Sequence, residues 1–139
     1  PAGHFSIRER GRPYQGVIVV KNLTDQREVV DEVFIHFDDG FVYSRTPAAR
    51  QWRGQRPGDP PPSLHVLEAR GKGGKVVDGY SSGTDTWNFG VGAFLSSEGD
   101  SPHWTSLPYR SRPVSHIRQV RFVLRSGQQW TWRGCIPPP

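Results

Sequence analysis

The chain reads as all-β, an antiparallel β-sandwich of about seven to nine short strands with two long irregular loops. Three observations carry that expectation. Apolar and polar residues alternate over short runs; Gly, Pro, Asp and Asn punctuate those runs; and helical spacing nowhere persists. Glycine (16) and proline (13) make up about a fifth of the 139 residues, a composition of turns rather than helices. Five Trp, four Tyr and seven Phe supply the bulk for a packed core. One domain is expected, spanning 1–134, with 135–139 as a Pro-rich C-terminal tail.

The first strand is expected at His4–Arg10, where Phe5 and Ile7 alternate with Ser6 and Arg8. In Tyr14–Asn22, the centre Val17-Ile18-Val19-Val20 is apolar on both faces, the mark of an interior strand. Val29–Phe37 places Val29, Val33, Ile35 and Phe37 on one face, with Glu32, His36 and then Asp38 on the other. Asp38-Asp39-Gly40 signals a hairpin into Phe41-Val42-Tyr43. Strand texture returns at Leu64–Ala69, breaks at Gly71–Gly74 and resumes at Lys75–Asp78. In TWNFGVGAF, Trp87, Phe89, Val91 and Ala93 share a face, while Gly90 and Gly92 leave the other bare, which calls for close packing or a bend. His116–Leu124 and Gln128–Arg133 form a hairpin turned by Ser126-Gly127. Trp130 and Trp132, two apart on its second strand, are expected to turn toward the apolar face made by Val120, Phe122 and Leu124.

The two irregular stretches carry the candidate sites. Residues 44–63 hold four Arg, five Pro and Trp52, with room for one helical turn at Pro47–Arg53. Residues 96–115 hold Trp104, Tyr109, Arg110 and Arg112. Loops this long in a compact domain serve function or move. Arg50, Trp52, Arg53 and Arg56 from the first loop, and Trp104, Tyr109, Arg110 and Arg112 from the second, are the binding candidates. Indole and guanidinium groups are enriched at interface hot spots and stacking sites. The competing account is that these loop aromatics fold back and seal the ends of the sandwich.

Catalytic and metal chemistry find little support. His36 and Asp38 have a ligand-compatible i, i+2 spacing beside Asp39, but a solvated strand face explains them as well. The other histidines, His4, His65, His103 and His116, share no repeat. Arg70–Lys75 (RGKGGK) lacks the Ser or Thr and the helix that a phosphate loop requires, and reads as a basic hairpin tip. No serine sits in a nucleophile elbow, and the single cysteine, Cys135, lies near the end. The expectation is a protein that is not an enzyme and takes no cofactor or metal.

The phrases GVIVVKNLTDQREVVDEVFIHFDDG and RFVLRSGQQWTWRG resemble the small immunoglobulin-like accessory β-sandwich domains of high-GC bacterial proteins, which open on a V-x-V-x-N type of strand and close on a hairpin with a glycine ahead of a tryptophan. An acidic residue in that hairpin is replaced here by Arg125, and the long Arg-Pro loop is additional. The resemblance implies an immunoglobulin-like sandwich that acts as a binding or spacer domain.

Formal charge is +5, carried by Arg far more than by the three lysines Lys21, Lys72 and Lys75. Arg-heavy usage follows from a GC-rich genome and also suits planar anionic partners. One cysteine excludes an intramolecular disulfide framework and fits a reducing compartment or a virion. No signal peptide and no apolar run long enough to span a membrane is read, so no membrane partner is expected. The opening Pro-Ala-Gly suits either loss of an initiator Met or processing. The leading expectation is a non-enzymatic protein-interaction or assembly module, with a protein partner or a second copy of itself, such as a structural subunit of a virion. A carbohydrate-binding module built on a row of exposed aromatics is the alternative. Polyanion or nucleic-acid binding through the loop arginines ranks third.

Overall fold

The computed structural model describes residues 3–11, 16–77, 80–91 and 112–139, with the backbone alone for 75–77 and 80–82. Strands β1 (Phe5–Glu9), β2 (Val17–Asn22), β3 (Glu28–Phe37) and β4 (Val42–Arg45) precede a five-residue helix, α1 (Ala49–Arg53). Then come β5 (His65–Leu67), β6 (Lys75–Val77), β7 (Tyr80–Ser82), β8 (Thr86–Gly90), a 3-10 turn at Val114–His116, β9 (Ile117–Leu124) and β10 (Gln129–Arg133).

One sheet has the order β1-β2-β8 and the other β10-β9-β3-β4, with β5 also paired to β3; all pairings are antiparallel. The chain crosses between sheets from β2 to β3, and its later part supplies β8 to one sheet and β9 to the other. This is the immunoglobulin-like arrangement. A separate hairpin joins β6 to β7, the latter in a polar Tyr-Ser-Ser run that has no strand signature.

The alternation expected of β1 holds: Phe5 and Ile7 are buried while Ser6 and Arg8 are exposed. In β2 Ile18, Val19 and Val20 are all buried, as a strand flanked on both sides requires. In β3 the parity changes midway. Val30, not Val29, is buried, and the next inward residue is Val33. A register irregularity between Val30 and Glu32 accounts for it: one extra residue reverses which side each later side chain faces.

Aromatic rings from both sheets make the centre of the core. Trp130 is fully buried and stacks on Phe5 at 5.3 Å with a 6° interplanar angle. Phe122 meets Phe5 edge-on at 5.5 Å, and Trp87 meets Phe89 edge-on at 5.0 Å. Trp132 is partly buried and packs against the same cluster. The pair on β10 is therefore core, as its neighbours on β9 predicted. The tail joins this core as well, because Ile136 is buried and the Glu9 amide donates to the Pro137 carbonyl at 2.8 Å. Gly11, at φ +84°, lies so close to Pro139 that an added Cβ would come within 2.7 Å of its ring.

Two buried polar side chains tie the ends of strands together. Asn22 donates to the carbonyls of Gln26 (2.8 Å) and Glu68 (3.0 Å), and its Oδ1 accepts from the amide and hydroxyl of Thr24. Every hydrogen-bonding position of that amide is used. Asp85 accepts from the Gly71 amide and the Thr86 hydroxyl, both at 2.9 Å. Burial alone would raise its pKa, but these hydrogen bonds and nearby Lys21 hold the carboxyl below its ordinary value.

Candidate functional site: the loop between β4 and β5

β4 and β5 lie on the same edge of β3, β4 along Val33–His36 and β5 along Glu28–Val30. The chain between them leaves and rejoins one sheet edge, so it projects from the rim of the sandwich. Every residue from 48 to 61 is exposed. Within this stretch Ala49–Arg53 forms α1, which buries none of its residues. The one helical turn expected at Pro47–Arg53 is thus present, but it does not seal the core. Trp52 is 55% exposed, and Val42 is the other large exposed apolar residue described.

The loop is nonetheless held at defined points. Gln51 Oε1 accepts the Ala48 amide at 2.9 Å, closing the start of α1, and Gln51 Nε2 donates to the Ser63 carbonyl at 3.2 Å. The Arg56 amide donates to the Asp59 carboxylate at 2.9 Å. Arg125, in the β9–β10 turn, donates through Nη2 to both Asp31 (2.8 Å) and the Pro62 carbonyl (3.0 Å). Arg125 and the Arg-Pro loop, far apart in sequence, are therefore in direct contact.

Two groups of arginines stand out among the described residues. Arg27, Arg70, Arg112, Arg118 and Arg125 each pair with a carboxylate. Arg50, Arg53 and Arg56 make no ion pair and no side-chain hydrogen bond. These three flank the exposed indole in sequence; Arg50 and Arg53, three residues apart, are neighbours on the turn.

The second predicted loop is brought into view only at its end. Trp104, Tyr109 and Arg110 lie outside the described residues. Arg112 bonds Asp39 at 2.8 Å and lies 4.0 Å over the Phe41 ring, joining the β3–β4 hairpin to the segment before β9. The Phe41 amide, and then Arg112, hold the Asp39 carboxyl below its usual pKa. This arginine is occupied by the fold rather than grouped with Trp52.

The remaining candidates resolve into structural roles. Asp38 faces Arg118 at 3.5 Å and His116 at 3.9 Å, and no group of three potential metal ligands occurs among the described residues. Arg70 pairs with Asp25 and Lys72 with Glu68, so these two charges of the basic hairpin are answered within the chain. His65 stacks on Trp87 at 4.3 Å, beside a cavity of about 400 Å³ lined also by Thr84, Thr86 and Asn88. Burial, and then the charge of Arg45, lower the His65 pKa to about 4. Its Nε2 is buried without a partner. No row of exposed aromatics exists among the described residues, since Trp87 and Trp130 are buried and Trp132 partly so.

No family model, curated protein or solved structure matches the chain. No helix among the described residues is long and apolar enough to cross a membrane.

Sequence reasoning named Arg50, Trp52, Arg53 and Arg56 but missed Gln51 and Arg125. Gln51 had a local signal, a Gln three residues into a short helix, whereas Arg125 reaches a carbonyl 63 residues away in sequence.

Proposed function

We propose that the protein is a non-enzymatic interaction module that docks a protein partner through the loop between β4 and β5, as a component of a multi-chain assembly. The observation that carries this reading is the exposed Trp52 on an anchored turn, in a loop with three arginines that make no ion pair among the described residues. Burying a large apolar side chain is worth roughly 2–3 kcal/mol, and an isolated fold leaves that gain unrealised here. Trp and Arg are the residues that most often dominate binding energy at interfaces. The anchors at Gln51 and Arg125 reduce the ordering cost that a mobile loop would bring to binding.

The carbohydrate reading needs at least two coplanar exposed tryptophans, and the described residues offer one. The test of the proposal is affinity capture from the cells or particles in which the protein occurs, with wild type and Trp52→Ala compared in parallel. A partner retained by wild type and lost by the variant is expected. Equal capture by both, or a wild-type chain that stays monomeric and recruits nothing, would overturn it.

A further inference from the structure

We infer that the partner presents an acidic polypeptide surface, with apolar side chains that cover the Trp52 indole set among carboxylates that meet Arg50, Arg53 and Arg56. This rests on the reading that the β4–β5 loop is the contact. Shape assigns the roles: residues 48–61 are exposed throughout and α1 buries nothing, so this side is a projection and the partner must enclose it. Charge assigns the chemistry. Residues 44–63 carry Arg45, Arg50, Arg53 and Arg56 against a single acid, Asp59, whose carboxylate already accepts the Arg56 amide. Docking at Arg50, Arg53 and Arg56 breaks no existing ion pair. A guanidinium also presents a planar donor fork that fits a carboxylate in bidentate fashion. A single-stranded nucleic acid would meet the same charges, but its binding calls for a groove with successive stacking rings. Trp52 is the one exposed tryptophan among the described residues, and it stands on a projection.

The test uses the full chain and a displayed library of disulfide-cyclised dodecapeptides, with oligo(dT) and phosphatidylserine vesicles as competing probes. Enrichment of peptides that combine Asp or Glu with Leu, Phe or Trp is expected. The best of them should bind about tenfold more weakly both to Trp52→Ala and to the triple variant Arg50→Glu, Arg53→Glu, Arg56→Glu. If Trp52→Ala weakens binding and the triple variant does not, the loop remains the contact and the acidic partner is refuted. If neither variant matters, both readings fall. Enrichment without an acidic excess, or Trp52-dependent binding that is tighter to oligo(dT) or to the vesicles, would also refute the acidic protein partner.

Discussion

Two indoles mark two regions of the molecule. Trp130 is fully buried and nearly parallel to Phe5, whereas Trp52 is 55% exposed on a turn that buries nothing. Some arginines add to the contrast. Arg112 on Asp39 and Arg125 on Asp31 answer carboxylates of their own chain, whereas Arg50, Arg53 and Arg56 make no ion pair among the described residues. Surface ion pairs contribute only about 0–1 kcal/mol each, so pairing does little for stability. What it does is consume charge. Part of the frame's positive charge is thus answered locally, whereas the loop combines three arginines without ion pairs among the described residues with an exposed indole.

The sharpest way to break this contrast is by truncation. Trp130→Ala should lose about 3–5 kcal/mol in urea denaturation, through the cavity left between the two sheets. Trp52→Ala should stay within about 0.5 kcal/mol of wild type. A loss above roughly 1.5 kcal/mol at Trp52 would mean that the loop indole seals the core after all.

Asn22→Ala should cost about 2–3 kcal/mol, because it strands the carbonyls of Gln26 and Glu68 and the donors of Thr24. The loop has no equivalent: its polar anchors are exposed, and water replaces them.

A pH titration separates the regions by chemistry. The His65 pKa lies near 4 in the folded chain against 6.5 as its ordinary value. The unfolded chain takes up that proton first, so stability is full above about pH 6.5, falls as pH drops toward about 4, and levels off below. The slope is at most about 1.4 kcal/mol per pH unit, less solvent screening at a partly exposed ring. His65→Phe, measured by thermal melts across this window, should flatten it. A slope unchanged in that variant would remove His65 as its source.

The smallest global effect is expected at the loop anchors. Arg125→Ala and Gln51→Ala should each cost no more than about 1 kcal/mol. Both should speed tryptic cleavage after Arg50 or Arg53 several-fold, because the loop then opens locally without unfolding the sandwich. Cleavage at the wild-type rate would mean that the loop is held elsewhere.

Most strands were legible because burial on one face writes a period of two into the sequence, as in Phe5-Ser6-Ile7-Arg8. The shift from Val29 to Val30 was not, since both are apolar and the irregularity beside Asp31 leaves no compositional trace. Ile136 was missed for another reason: a proline tail reads as an end, and only the neighbouring β1 edge makes it part of the core. In the loop, residue types named the candidates, but the exposure of Trp52 depends on where β4 and β5 sit on β3, a long-range fact with no local pattern. Arg112 shows the converse, a candidate by type that tertiary contacts turned to structural use.

The central claim, that the arginine-flanked turn is the docking face, is tested most directly by photocrosslinking. Benzoylphenylalanine is placed at exposed Gln55 beside α1, or at exposed Ser6 on β1 as the control, and irradiated with the native partner mixture. Adducts at position 55 that vanish when Trp52→Ala is added, with none at position 6, are the predicted result. Adducts equally abundant at position 6, or adducts at 55 that persist without the Trp52 indole, would contradict the account.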